Sequence, residues 1–326
     1  MKKSFLLLAC AASLMTACKK TSLVEETPVA GDPNVAAGLR HCAAQDVLEM
    51  QLKADPSLAG RMNAIEAFTK QFEQNPSAYR LVNGIIEIPV VVNVLYRTTA
   101  QNISQAQIQS QIDALNKDFS ATNTDYSLTP TAFQSVRSGD ITVRFVLDQV
   151  IRKSTTKTSW TTNDAMKKTS SGGLNPTSPT TKLNLWVCNL SNGILGYAQF
   201  PGGSSATDGV VIDDNAFGTT GTAAAPFNKG RTATHEIGHW MNLRHIWGDA
   251  TCGSDLVGDT PTHNTANYGC PTYPHKSTCT GTPTEMTMNY MDYTDDACMY
   301  MFSAGQKTRM LAVFATGGAR NSFAQP

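Results

Sequence analysis

The stretch His235-Glu236-Ile237-Gly238-His239-Trp240-Met241-Asn242-Leu243-Arg244-His245 decides the fold, because it holds three of the chain's six histidines. His235 and His239, four apart, stand one above the other on a helix face, the spacing two imidazoles need to hold one zinc ion. Glu236 then lies beside the metal, suited to take a proton from a water there rather than to bind the ion. His245 can join the pair only if the helix ends early. At about 100° per residue it would otherwise sit roughly 240° around from His239. Asn242 is the expected stop, since Asn is second only to Gly in tolerating the left-handed conformation that ends helices. Three histidine ligands leave a fourth position open, as catalytic zinc requires. A chance match to His-Glu-x-x-His in a chain of this composition is on the order of 10⁻³ to 10⁻².

Upstream, Lys2 and Lys3 precede an apolar run from Phe5 to Met15, then small residues and Cys18. The run is too short for a stable membrane anchor and reads as a signal peptide over residues 1–17. Met15-Thr16-Ala17-Cys18 resembles a lipobox, in which Cys18 would carry lipid, so the expected location is the outer membrane or cell surface. The alternative is ordinary cleavage into a secreted protein. Export places the remaining cysteines, Cys42, Cys188, Cys252, Cys270, Cys279 and Cys298, where disulfides persist. The net charge is zero and charged residues make up only 16%, which excludes a nucleic-acid surface as the main business of the chain. Membrane contact is expected only through the N-terminal lipid.

The segment from Val35 to Gln74 reads as helical, with Leu48, Leu52, Leu58, Met62, Ile65, Phe68 and Phe72 at helical spacing. A catalytic domain is expected over 81–326, long enough to bury a large core unaided. Ile85 to Tyr96 is an Ile/Val run of the kind that forms a strand buried on both faces. Ser104 with Gln107 predicts a capping box opening a helix buried along Ile108, Ile112, Leu115 and Phe119. Ile141 to Val150 alternates as a second strand, and Thr162 to Lys168 is a short helix candidate. Leu183 to Leu190 and Gly196 to Phe200 read as paired strands around Ser191-Asn192-Gly193, with Gly209 to Asp213 as another. A last helix, Ser303 to Ala315, opens on a Ser303/Gln306 capping box. The fold class is α/β: a mixed twisted sheet with a backing helix and an active-site helix, then a loop-rich C-terminal subdomain.

HEIGHWMNLRH resembles the extended zinc motif of the metzincin metallopeptidases. The words around it resemble the pappalysin family: AFGT at Ala216 to Thr219, GRTATHEIGHW from Gly230, LRHIWGD ending at Asp249, DTP at Asp259 to Pro261, and NYMDYTDDACM from Asn289. Asn242 stands where the wider clan has Gly. The resemblance runs from about Ile86 to the end and implies a secreted or lipid-anchored zinc endopeptidase acting on proteins or peptides. It implies a pro-segment over 18–80 whose Cys42 sits on the zinc as a cysteine switch, a role that suits a thiolate. The plainer reading of Cys42 is a buried or Cys188-bonded thiol. Met291 would be the Met-turn residue under the histidines. Tyr293 would steady the tetrahedral intermediate, and Asp296 would lie at the base of the pocket for the side chain after the cut bond, favouring Arg or Lys. That preference would place self-activation before Arg80.

Between Cys252 and Tyr300 the chain is rich in Gly, Pro, Thr and Asp and must be held by something besides core burial. Four cysteines there allow three pairings by spacing alone; the resemblance implies Cys252 with Cys279 and Cys270 with Cys298. Asp255, Asp259 and Thr260 offer hard oxygens for a structural calcium ion, with a solvated acidic loop as the alternative. Two rival functions stand beside the peptidase: a catalytically silent zinc-containing surface binding protein, and a zinc hydrolase acting on another bond, since the same water chemistry serves both.

Overall fold

In the computed structural model, which describes residues 38–78 and 84–324, the Ile/Val run forms strand β1 (Ile86–Tyr96), buried without a break from Val90 to Leu95. The expected signal peptide, Cys18 and Arg80 lie outside the described residues. β2 (Val143–Ser154) and β3 (Leu183–Cys188) flank β1 in parallel. β3 pairs in parallel with β5 (Val210–Asp213), and β4 (Gly196–Ala198) runs antiparallel along β5 as the outer strand. The sheet order is β2-β1-β3-β5-β4, the mixed sheet that the alternation of strands and helices predicts.

The expected pairing of 183–190 with 196–200 does not form, because β5 lies between them. Every residue of β3 is buried, so it needs a partner on each side, and β5 supplies the second. Asp213 then holds both ends of the Asn192-Gly193 turn. Its carboxylate accepts from the Leu190 N–H at 2.7 Å and its own N–H donates to the Leu195 carbonyl at 2.8 Å.

Helix α3 (Gln105–Phe119) packs Ile108, Ile112, Leu115 and Phe119 inward as expected. Its capping box is only half formed. Ser104 accepts from the Gln107 N–H, but the Gln107 side chain donates instead to the Phe217 carbonyl and Thr222 Oγ1, both at 2.9 Å, and so pins the 214–222 loop to the helix. The box at α5 (Ala304–Ala312) is complete, with Ser303 and Gln306 exchanging bonds. The single helical reading of 35–74 gives way to two helices, α1 (Ala44–Ala54) and α2 (Ser57–Gln74). Pro56, with no N–H to donate, ends one and opens the next. Arg40 to Ala43 are not helical because their backbone pairs with β4: the Ala43 N–H donates to the Gly196 carbonyl at 3.0 Å and the Leu195 N–H to the His41 carbonyl at 2.9 Å. At 162–168 there is only a 3₁₀ turn, Ala165–Lys167.

The active-site helix α4 (Arg231–Trp240) is buried at all ten positions. Two arginines satisfy the carbonyls at its C-terminal end. Arg320 Nε donates to Trp240 O and Arg309 Nε to Asn242 O, both at 2.8 Å, meeting acceptors that a helix end otherwise leaves without partners. Beyond α4 the loop-rich segment is crossed by two disulfides, Cys252–Cys279 and Cys270–Cys298, and Cys42 and Cys188 are free buried thiols. Among the described residues no helix is long and apolar enough to cross a membrane. Replacing Cys252 and Cys279 with Ser opens a loop with a sequence separation of 27. The chain-entropy argument puts the cost at about 3 kcal/mol. A thermal melt should show a clearly lower midpoint; an unchanged one would mean that packing alone holds the loop.

Candidate metal centre and active site

Asn242 adopts φ 73°, and this left-handed turn ends α4 as its sequence position predicts. The chain reverses and brings the third imidazole back: His239 Nε2 lies 3.1 Å from both His235 Nε2 and His245 Nε2. Tetrahedral zinc with bonds of ~2.05 Å would set such nitrogens about 3.3 Å apart, so the three rings fit the ion. Cys42 Sγ completes the group, all four ligand atoms lying within 4.8 Å of one another and all four residues buried.

Each ring is oriented from behind. The Nδ1 atoms meet Tyr290 O at 2.6 Å for His235, Leu243 O at 2.8 Å for His239, and Asp249 Oδ1 at 2.5 Å for His245. An Nδ1–H donated to oxygen leaves the Nε2 lone pair facing the metal. Burial, then the neighbouring imidazoles, pushes the His235 ring far below its usual range and His239 to about 3, so both are held in the neutral form a metal needs. Trp247 stacks on His245 with ring centroids 4.4 Å apart. Met291 is fully buried beneath α4, so close that a Cβ on Gly238 would meet its sulfur at 2.5 Å.

Glu236 stands at the open side. Its Oε2 accepts from the Cys42 thiol at 3.4 Å, and burial pushes its carboxyl up to about 8 against the pull of that thiol and of Arg40. The absence of a side chain at Gly196 is what lets Glu236 approach the outer strand, since a Cβ there would meet the glutamate at 3.0 Å. Tyr293 donates its hydroxyl to the Cys42 carbonyl at 3.0 Å, and burial holds the phenol well above its usual range, protonated and able to donate.

Asp296 is fully buried and takes Arg40 Nη2 at 2.6 Å on one oxygen and the Lys229 N–H at 2.7 Å on the other. Arg40 also donates to Thr294 O and Thr232 Oγ1, and its guanidinium lies 5.0 Å from the Phe227 ring centre. Arg40 and Asp249 are the site residues that sequence reasoning missed. Arg40 sits beside Cys42 in the chain, but its partner is 256 residues away, and no local pattern announces it. Asp249 follows His245 by one helical-length step with no helix to make that spacing meaningful. Of the three oxygen donors expected at calcium, Asp255 and Thr260 meet, the Thr260 hydroxyl lying 2.9 Å from both carboxylate oxygens. Asp259 turns away to cap α5, accepting from Ser303 Oγ at 2.6 Å and the Gly305 N–H at 2.8 Å.

Residues 178–315 match the family model described as pregnancy-associated plasma protein-A. An extracellular metalloprotease of Verticillium alfalfae is 33% identical over 237 residues, 69% of this chain and 77% of that protein. The chain belongs to the pappalysin family of metzincin metallopeptidases. As a pappalysin it is a zinc-dependent metalloendopeptidase. A second extracellular metalloprotease, from Pyricularia oryzae, is likewise 33% identical, over 240 residues covering 71% of this chain and 75% of the relative. Mature mirolysin of Tannerella forsythia, solved with a cleaved peptide, is 45% identical with TM-score 0.71, covering 73% of this chain and 95% of that one. A promirolysin variant from the same organism is 41% identical with TM-score 0.79, covering 87% and 97%. Gly238 packs directly against the Met291 sulfur, with no room for a Cβ. Gly238→Ala should therefore cost about 1–3 kcal/mol by overpacking and weaken zinc retention, checked by thermal melt and by metal analysis after dialysis against a chelator.

Proposed function

We propose that this chain is the latent form of an exported zinc endopeptidase that cleaves before Arg or Lys, with residues 18–80 as the pro-segment and 81–326 as the enzyme. One observation carries the reading: the run Arg40-His41-Cys42 fills the site at three points at once. Arg40 enters the Asp296 pocket, the Cys42 thiol joins the three imidazoles, and the Cys42 carbonyl sits under the Tyr293 hydroxyl. The run is bridged to the outer strand at Gly196 in the parallel sense. A substrate would use the same edge, where main-chain bonds bind without regard to sequence and pockets select the side chains. The greater share of the chain covered by promirolysin than by the mature enzyme supports a pro-segment here. The names of the relatives and the two disulfides support export. The signal peptide, the Cys18 lipid and self-activation before Arg80 belong to the same proposal.

Zinc, when bound, brings the pKa of a water toward neutrality and polarises the scissile carbonyl. His235, His239 and His245 would hold it. Glu236, over the open side, takes the proton of the attacking water and passes a proton to the leaving amine. The Tyr293 hydroxyl donates to the carbonyl oxygen as negative charge develops there. Asp296, which needs a cation to offset its burial, fixes the side chain after the cut, as it now fixes Arg40.

Glu236→Ala should keep zinc and fold while lowering turnover of a peptide substrate by at least about 10²-fold; retained turnover would remove Glu236 from the mechanism. A peptide library should show Arg or Lys enriched after the cleaved bond. Cys42→Ala should give measurable activity before processing, and no gain would count against the switch. A calcium ion at Asp255 and Thr260 is part of the proposal, because burial pushes the Asp255 carboxyl up to about 6, a cost that a cation would offset. Added calcium should raise the melting temperature of chelator-treated protein, and no change would end that assignment.

A further inference from the structure

The proposed pro-segment makes a second ion pair with the rest of the chain, buried at Arg309 and half-buried at Glu66. Glu66, on α2, accepts from Arg309 Nη2 and, at 3.3 Å, from the Asn242 side-chain amide. The Arg309 side chain is only 1% exposed. Its Nε is held by Asn242 O at 2.8 Å, so the turn that ends α4 aims the guanidinium whether or not Glu66 is there. Two donors thus converge on one carboxylate oxygen, Oε1, while Glu66 Oε2 is buried with no hydrogen-bond partner among the described residues. The other carboxylate oxygen-bearing side chain close to Arg309 on the enzyme side, Asp255, is committed to Thr260 and the Val257 N–H. Beside Glu66 lies a cavity of about 260 Å³, walled by Phe200, Asn242 and Arg244 from the enzyme and by Leu48 and Met62 from the segment. The Phe200 ring, one wall of the cavity, lies 5.3 Å from the His239 ring.

We propose that Arg309 and the Asn242 amide form a carboxylate-binding subsite, filled by Glu66 in the latent chain and, once the segment leaves, by an acidic side chain of the substrate. The proposal rests on the latency reading above. If Asp296 takes the residue after the cut, the part of the substrate before the cut lies across the cluster, over Phe200 and Asn242. At about 3.3 Å per extended residue, positions two to four before the cleaved bond reach that ground. The pro-segment therefore presents a cation to Asp296 and an anion to Arg309, with the blocking thiol between them. The enzyme it blocks selects substrates of the same charge pattern: acidic upstream, basic just downstream.

The test uses mature, disulfide-bonded enzyme and fluorogenic peptides with Arg after the cut, in pairs that differ only by Glu or Gln at position two, three or four before it. At one of these positions the Glu peptide should have a KM about fivefold lower, with the difference shrinking in 0.5 M NaCl, where the Debye length falls to about 4 Å. Arg244→Gln should keep the Glu preference; its loss there would move the subsite from Arg309 to Arg244 and overturn the proposal. Glu66→Gln changes only the departing segment, so the processed enzyme is identical, and the proenzyme should label faster at Cys42 with a thiol reagent. Equal cleavage of Glu and Gln peptides at all three positions, or unchanged labelling of Glu66→Gln, would overturn the subsite. Cleavage of neither peptide would instead be a failure of the peptidase reading.

Discussion

The structure depends on one backbone reversal, the left-handed residue Asn242 that stops α4 after ten residues. A continuing helix would carry His245 away from His239; the reversal brings three Nε2 atoms to within a zinc ion's bonding reach. What surrounds the turn exists to hold it. Arg309 and Arg320 take the carbonyls that the stopped helix leaves over, Leu243 O orients His239, and Met291 fills the space under Gly238. Buried donors and acceptors left without partners would cost more than such a turn could bear, so these contacts are as much a part of the metal site as the ligands.

The sheet serves the site by ending in a short outer strand. β4 is only three residues long and lies antiparallel at the edge, next to β5, which the interior strand β3 needs as its second neighbour. An exposed edge of this kind is an invitation to another strand. In the structure the segment around Cys42 accepts it, and its backbone carries the arginine and the thiol to their places with a single pairing. In the proposed reading, latency and substrate binding draw on the same edge groups of β4.

Much of this was legible in the sequence where a pattern is local. The helix stop at Asn242, the convergence of the three imidazoles, the Ile/Val strand and the Ser303 cap all follow from neighbours within a few residues. What was not legible depends on partners far along the chain. The hairpin expected at Ser191-Asn192-Gly193 failed because β3, apolar on both faces, took β5 as its neighbour, a choice no turn signal encodes. Gln107 has the spacing of a capping residue but is claimed by Phe217 and Thr222. Arg40 and Glu66 read as ordinary charged residues until the fold sets Asp296 and Arg309 against them. Calcium donors were chosen by residue type, and the structure shares them out differently, Asp259 going to the start of α5.

Arg320 ties the end of α4 to a distant part of the chain. Its guanidinium covers the last carbonyl of α4, packs 4.0 Å from the Trp240 ring centre and bonds to Asp208, eighty residues downstream of the helix it completes. A nascent chain that has not yet delivered this residue lacks the partner for that carbonyl. The carbonyl that closes the histidine-bearing helix is thus met by a donor that lies far along the chain rather than by a local cap.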